Sequence, residues 1–590
     1  LNICRTRTPG RAKFSRNARE THAPGGIPTG RKISFTAARS WQTLANPMAE
    51  PKENVLMEKI VSLCKRRGFI YQSSEIYGGI NGFWDYGPLG AELKRNVKEL
   101  WWNTMTRQRD DVVGLEATII MSPLIWKASG HVDTFTDPMI DCKTCKGRFR
   151  ADQTSEIPCP QKPSKMVSEC HGEKTPPRAF NLMFQTYVGP VQDDSAIAYL
   201  RPETAQAIFA QFKNVLETSR QKVPFGIAQV GKAFRNEVTP RNFTFRSREF
   251  EQMELEFFIK PDEVVEAIAG LVASASDVGG ADLPVGQDAP PRVPTAPQPD
   301  WGWEAWHKYW VEERIRFYES IGLPRNTLVE YWQKPEELAH YARACVDILF
   351  KFPFGTQELE GIAARSDFDL SQHERFSGKP MGVFDEELRA AWSKLPKEKQ
   401  DELWRCYYEN RRKYLVKMGV AEEQSAQDAT EDANGLAKGQ YIPHVIEPSA
   451  GVDRLILALI ANAYSEATET DDKGKTETRV ILKFHPRVAP IKVAVLPLLK
   501  NKPDLVKKAQ DVRDLLRSWM HVFYDDGGSI GRRYARQDEA GTPFCITIDF
   551  DTLGEKPELK DTVTVRYRDD GKQERLAIGE LLNWLLPKIR

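Results

Sequence analysis

Two short stretches, far apart in the chain, hold the residue types needed to grip a nucleotide and an amino acid side by side. One is Phe225-Gly-Ile-Ala-Gln-Val-Gly-Lys-Ala-Phe-Arg235-Asn-Glu237, followed after a turn by Phe245-Arg-Ser-Arg-Glu-Phe250-Glu-Gln-Met-Glu254. The other is Glu447-Pro-Ser-Ala-Gly451-Val-Asp-Arg454-Leu-Ile-Leu. Their arginines suit a triphosphate, their aromatic rings suit the face of a base, and their carboxylates suit an ammonium group.

Strand parity is the first test of this pairing. Residues two apart share a face in a strand. Gln229, Gly231, Ala233, Arg235 and Glu237 then point one way, and Val230 and Phe234 the other. In the following run Arg246, Arg248, Phe250, Gln252 and Glu254 align together, opposite Met253, Leu255 and Phe257. Paired as a hairpin, the two runs offer an apolar face to a core. The other face collects arginines, a ring, glutamines and glutamates over a floor of small residues that leaves room for a flat ligand.

The second stretch predicts a helix over 449–464, apolar almost all round, with Asp453 and Arg454 as its only charges. Such a helix is buried, and a buried arginine needs an anionic partner. Asp453 or a neighbouring carboxylate is one candidate. A polyphosphate is the other, because a helix start offers unpaired N–H groups and Gly451 permits close approach.

The elements that must position these groups can be read in outline. Periodicity predicts a helix over 55–67, a Gly-rich irregular segment over 74–90, a helix over 91–109 and a strand over 112–121. Residues 141–178 read as a polar, Cys-containing insertion. The 274–300 segment reads as a flexible Pro/Ala/Gly linker. Residues 301–350 and 384–420 have helical spacing, 356–365 is strand-like, and 421–440 reads as an acidic loop. From Val488 the texture changes to alternating strands and a helix, which marks a separate α/β domain over 488–590.

A chain of 590 residues with 41% hydrophobic and 28% charged residues is expected to form several soluble domains. No apolar run reaches the roughly 18 residues of a membrane helix. The formal charge of +1 hides an asymmetry: residues 1–47 carry nine Lys/Arg against Glu20, so the leader holds +8 and the rest −7. A mildly acidic body argues against non-specific coating of nucleic acid. The leader has the composition of a transit peptide, which would imply a mitochondrial or plastid protein. Its prolines and glycines favour the other reading, upstream sequence before a start at Met48 and a cytoplasmic protein. Five of the nine cysteines are scattered singly, which suits a reducing compartment.

Phe234-Arg-Asn-Glu237 and Glu447-Pro-Ser-Ala-Gly-Val-Asp-Arg454 resemble the second and third signature motifs of class II aminoacyl-tRNA synthetases. The segment 91–123 resembles the first, which forms the dimer interface in that class. Ser74-Glu-Ile-Tyr-Gly-Gly79, Trp84-Asp-Tyr-Gly-Pro-Leu-Gly90, Ala128-Ser-Gly-His131, Phe180-Asn-Leu-Met-Phe184 and Arg201-Pro-Glu-Thr-Ala-Gln206 narrow the resemblance to the homodimeric glycyl-tRNA synthetases, from about Glu53 to the C-terminus. The resemblance implies an α/β (α+β) protein: an antiparallel-sheet catalytic core over 48–487 with helical insertions at 301–350 and 384–440, and a C-terminal anticodon-binding domain. It implies a ligase that activates glycine with ATP and Mg²⁺ and charges tRNA(Gly). Arg235 and Arg454 would be catalytic. ATP would meet Arg235, Asn236, Glu237, Phe245, Arg246, Ser247, Arg248, Glu249, Phe250, Glu358, Leu359, Gly451, Val452, Asp453 and Arg454. Glycine would meet Arg150, Glu203, Phe250, Glu251, Gln252, Met253, Glu254, Glu447, Pro448, Ser449, Ala450 and Gly451. A site for the smallest amino acid can exclude larger ones sterically, and so needs no editing.

Cys142, Cys145, Cys159 and Cys170 contain one Cys-x-x-Cys half-site, but the second pair is widely spaced. A structural Zn²⁺ and a metal-free insertion both fit. The run Ile530 to Phe544 resembles an anticodon-reading segment, with Arg532, Arg533, Tyr534 and Arg536 as tRNA contacts. A non-catalytic protein on the same scaffold is the chief rival, and retention of Arg235, Glu237, Arg246 and Arg454 weighs against it.

Overall fold

The computed structural model describes residues 55–275, 297–339, 341–470 and 476–590. The leader 1–47 and most of the 274–300 segment lie outside the described residues.

Seven strands build the central sheet: β1 (Val112–Gly114), β2 (Phe225–Phe234), β3 (Glu249–Ile259), β4 (Leu328–Trp332), β5 (Ala342–Phe352), β6 (Gly355–Arg365) and β7 (His444–Gly451). Their order is β4-β5-β6-β7-β3-β2-β1, antiparallel except where β1 runs parallel to β2. The β2/β3 hairpin pairs Gln229 with Glu254, Gly231 with Gln252 and Ala233 with Phe250, the register that parity demands. Along β3, Met253, Leu255, Phe257 and Ile259 enter the main core. Phe250, Gln252, Glu254 and Glu256 alternate to the other face, where Phe258 ends the series in a second apolar cluster.

Helices cover both faces: α1 (Val55–Arg67), α2 (Pro88–Trp102), α3 (Ala205–Ser219), α4 (Trp303–Ser320), α5 (Lys397–Lys417), α6 (Glu422–Leu436) and α7 (Val452–Ala463). Trp306 and Trp310 of α4 share the main core with Leu455, Ile456 and Leu459 of α7. On the opposite face Phe209 and Phe212 of α3 meet Leu403 and Tyr407 of α5 and Leu436 of α6. The site lies between that second cluster and the solvent.

Four expectations need correction. The second helix starts at Pro88 and ends in a π turn over Asn103–Arg107, and the strand after it breaks into Val112–Gly114 and Ile120–Met121. The later half of 301–350 is strand, because Val346, Ile348 and Phe350 alternate into the core. The acidic 421–440 segment is mostly helix α6, whose Ser425, Ala429, Ala433 and Leu436 are buried at helical spacing. The helix expected over 449–464 begins only at Val452, since β7 runs through Gly451.

The C-terminal sheet contains β8 (Val493–Pro497), β9 (Val522–Tyr524), β10 (Phe544–Ile548), β11 (Thr562–Tyr567) and β12 (Gln573–Ala577) in the order β9-β8-β10-β11-β12. Its first three strands are parallel and the last two pair antiparallel. The helix α8 (Pro503–Arg517) buries Leu505, Ala509, Val512 and Leu516 against it, and α9 (Ile530–Ala540) follows β9. Among the described residues, no helix is long and apolar enough to cross a membrane.

Candidate active site

A cavity of about 300 Å³ opens on the polar face of the central sheet. Four strands contribute to it: Phe250, Gln252 and Glu254 from β3, Glu447, Ser449 and Gly451 from β7, Gly361 and Ala363 from β6, and Cys345 and Asp347 from β5, with Arg235 and Glu237 just beyond the end of β2. A register shift between β5 and β6 at Leu349 turns Glu358 into the cavity and sends Leu359 into the core.

One end of the cavity is cationic and aromatic. The Arg235 guanidinium lies 5.4 Å from the Phe250 ring centre, and its Nε donates to the Pro202 carbonyl at 3.0 Å. Arg246 Nε stands 4.0 Å from Glu237 Oε2. Glu237 Oε2 and Arg246 Nη1 are both buried without a hydrogen-bond partner. Arg454 stacks over Phe245 at 4.7 Å and meets Glu358 at 3.1 Å, so its protein partner is Glu358 and not Asp453. Asp453 instead accepts from Tyr86 at 2.6 Å, Lys94 at 2.7 Å and the Glu251 backbone N–H at 2.8 Å, which locks the start of α7 onto α2.

The other end is acidic. Glu254 accepts from Ser449 Oγ at 2.9 Å and from the Thr204 hydroxyl. Glu447 accepts from Arg365 Nη1 at 2.7 Å, and Arg365 also holds Asp369 at 2.8 Å. Burial pushes Glu447 up to about 8 against the pull of Arg365, with Glu254 and Glu203 adding to the rise. Burial also raises Glu254, and the neighbouring Glu203 raises it further. Glu203 itself is held below its usual range: burial would raise it, but His131 at 3.3 Å, with Arg365 and Arg235, outweighs that.

Several expected site residues do not turn their side chains to the cavity. Met253, Leu359, Ala450 and Val452 are in the main core, and Pro448 lies opposite Ile362 on the core side of β7. Glu251 pairs with Lys94 and Lys98, each at 2.8 Å, and Glu249 pairs with Lys232. Arg248 donates to the carbonyls of Glu237 at 2.9 Å and Asn81 at 2.8 Å, because it precedes β3 and strand parity does not reach it. Asn236 docks through its backbone N–H on Leu182, and Arg150 is tied to Asp137 at 3.0 Å and Asp152 at 2.7 Å. The small floor at Gly231 is also not ligand space: a Cβ there would lie 2.1 Å from Arg201 Nη2. Phe245, Arg246, Ser247, Gly451 and Asp453 do line the cavity.

Sequence reasoning missed Thr244, Gln333, Tyr341, Cys345, Asp347, Gly361 and Ala363 in the lining, and Arg365 behind it. The alternation of Cys345 and Asp347 with Val346 and Ile348 was a legible signal for β5.

Outside the cavity, the four cysteines of the insertion lie in a chain of pairwise contacts. Thiol contacts link Cys142 to Cys145 and Cys170, and Cys159 to Cys170. All four are free thiols. Cys142 is lowered mainly by a hydrogen bond from the Cys145 backbone, and Cys159 is lowered, against its burial, by the backbone N–H groups of Gln161 and Lys162. In the C-terminal sheet the expected tRNA contacts separate. Arg533 is 1% exposed and donates to the carbonyls of Pro497, Leu498 and Gly528, so it braces the fold and is not a surface contact. Arg536 is held by Asp525 at 2.6 Å, Tyr534 bonds Thr547 at 2.6 Å, and Arg532 is exposed.

Comparison with known proteins agrees with this construction. Residues 188–279 match the tRNA synthetase class II core domain (G, H, P, S and T), and residues 492–588 match the anticodon binding domain. The protein is therefore built as a class II aminoacyl-tRNA synthetase. The glycine–tRNA ligases of Treponema denticola, Thermobifida fusca and Thermus thermophilus are each 42% identical to it, over 90–91% of this chain and 98–99% of their own length. The chain belongs to the glycine–tRNA ligase family.

Proposed function

We propose that this chain activates glycine with ATP, forming glycyl-adenylate and pyrophosphate, and transfers the glycyl group to the 3′ end of tRNA(Gly). One observation carries the reading. One cavity is lined by an unpartnered carboxylate oxygen of Glu237, an unpartnered guanidinium nitrogen of Arg246 and the Phe250 ring, together with carboxylates that outnumber their cations. Glu237 Oε2 is placed to accept from an adenine amino group, Phe250 offers its face to the base, and Arg246 and Arg454 meet the outer phosphates. Glu203, Glu254 and Glu447 receive the glycine ammonium.

No side chain needs to act as a nucleophile. The glycine carboxylate attacks the α-phosphorus and pyrophosphate leaves. Arg235, fixed by Pro202, steadies the charge that develops on the α-phosphate oxygens. Asp347 and Glu358 suit Mg²⁺: both face the cavity, and Asp347 is raised by burial and by Glu358 nearby. When bound, the ion would neutralise charge on the triphosphate. The terminal ribose hydroxyl of the tRNA then attacks the glycyl carbonyl and AMP leaves.

Three further assignments belong to this reading. Cys142, Cys145, Cys159 and Cys170 hold a structural Zn²⁺, which the pairwise contacts among them and the lowered thiols of Cys142 and Cys159 support. The chain is a homodimer in the cytoplasm, and exposed Ile120 and Leu124 beside the first-motif segment offer apolar surface for a partner copy. The anticodon meets the C-terminal domain near Arg532. ATP–pyrophosphate exchange with glycine, alanine, serine and proline tests the central assignment. Exchange driven by glycine alone is expected, and exchange driven by another of the four, or by none, overturns it.

A further inference from the structure

Behind the acidic end of the cavity lies a group with no part in the steps above. Glu256 is 0% exposed, and neither of its carboxylate oxygens has a hydrogen-bond partner. Its neighbours on the same sheet face are Glu254 and Glu447, and one oxygen from each of the three carboxyl groups lies within 4.8 Å of the other two. The charged and titratable groups facing this trio are Arg365, Asp369, Glu203, Arg201, Tyr341 and Cys345. Arg365 already serves Glu447 and Asp369, and Glu203 already has His131. Arg201 spends its donors on the carbonyls of Lys232 and Ala117 and on Gln229. Among the described residues, no uncommitted cation is left for Glu254 and Glu256.

Three carboxylates this close and this buried cannot all be ionised without a compensating charge. The two neutral donors on Glu254, from Thr204 and Ser449, do not supply one. Two species can: a proton shared within the trio, or an ammonium group entering the cavity beside Glu254 and Glu447. They compete, because each lowers the same excess negative charge and the two cations repel one another in a buried site.

We propose that glycine capture is proton-coupled: the empty pocket holds a proton within the Glu254–Glu256–Glu447 group, and the incoming ammonium displaces it to solvent, with Glu256 as the buried positioning residue that makes the exchange necessary. The balance is simple, since one cation enters, one proton leaves, and no bond in glycine changes. Titration belongs to the trio as a whole and not to any one member. The rises at Glu447 and Glu256, each led by burial, have the required sign. The inference rests on the glycine-activation reading and deepens it. It makes selection for an ammonium pH-dependent, so affinity should climb as the trio is relieved of its proton.

The test uses the full chain and glycine itself. In ATP–pyrophosphate exchange between pH 6 and 8.5, the KM for glycine should fall with rising pH, by up to about tenfold per unit for one proton, while the KM for ATP stays within about twofold. Glu256→Gln keeps the shape and removes one of the three carboxylates, and its glycine KM should vary less than about threefold over that range. Titration calorimetry of wild type with glycine in two buffers of different ionisation enthalpy should report proton release near pH 7, a readout that stands even if the variant does not fold. A flat glycine KM in wild type, an unchanged slope in Glu256→Gln, or binding without proton release would overturn the coupling. Absence of glycine-dependent exchange at every pH would overturn the activation reading itself, and the coupling with it.

Discussion

On the core face of the central sheet, Glu360 is 1% exposed and fully answered: Arg314 donates to one oxygen at 2.7 Å and the Tyr318 hydroxyl to the other. On the opposite face, Glu256 is 0% exposed and neither of its oxygens has a hydrogen-bond partner among the described residues. Both carboxyls sit in the middle of long strands, so burial does not distinguish them. The difference is compensation. A carboxylate buried for architecture comes with its cation and hydrogen bonds, since an unpaired buried charge is too costly to keep. A face that gathers more carboxylates than cations is shaped for a cation the chain does not contain.

The most direct way to break this comparison is to remove compensation where it is complete. Arg314→Leu strands Glu360 and should cost about 3–5 kcal/mol of stability, measured by denaturant unfolding, while the folded fraction keeps its KM for glycine. Arg235→Ala should do the reverse: near-native stability, with kcat for glycine-dependent exchange reduced about 10²–10³-fold.

The pH dependence of stability sharpens the contrast. Glu447 is raised from its ordinary 4.5 to about 8, so over that interval the unfolded chain loses a proton that the folded chain keeps. Stability of the ligand-free protein should therefore fall as pH climbs from about 4.5 to about 8 and level off beyond, by on the order of a few kcal/mol. Glu447→Gln should flatten that slope in urea titrations at fixed pH values.

Phe250→Ala should weaken ATP by about 1–3 kcal/mol of lost stacking, seen as a rise in the KM for ATP with the KM for glycine less affected. The smallest effect is expected at the far end of the chain. Arg532→Ala should raise the KM for tRNA(Gly) several-fold, about 1 kcal/mol for one exposed phosphate contact, and leave ATP–pyrophosphate exchange unchanged.

How far the sequence revealed this arrangement depended on whether one local period governed a segment. The β2/β3 hairpin obeys period two without interruption from Phe225 to Phe234 and from Glu249 to Ile259, so its register and polar face could be read directly. Parity stopped where the strand stopped, and for that reason Arg248 was misassigned to the cavity. A bulge defeated it at Leu359, where Leu359 and Glu360, adjacent in the chain, both turn to the core and leave Glu358 facing the cavity. The strand β5 was hidden by composition, because its Trp- and Glu-rich flanks carry helical spacing through α4. The helix α6 was hidden by its charge, since its buried positions are mostly Ala and Ser and add little hydrophobicity. Arg365 could not have been found locally. Its partners Asp369 and Glu447 meet it only once β6, β7 and the following helix are assembled.

A crystal structure of the full chain with a non-hydrolysable glycyl-adenylate analogue tests the account most directly. The account predicts the base on Phe250 with its amino group at Glu237, Arg235 on the α-phosphate mimic, and the ammonium among Glu203, Glu254 and Glu447. An analogue bound elsewhere, or one whose ammonium turned away from those three carboxylates, would contradict it.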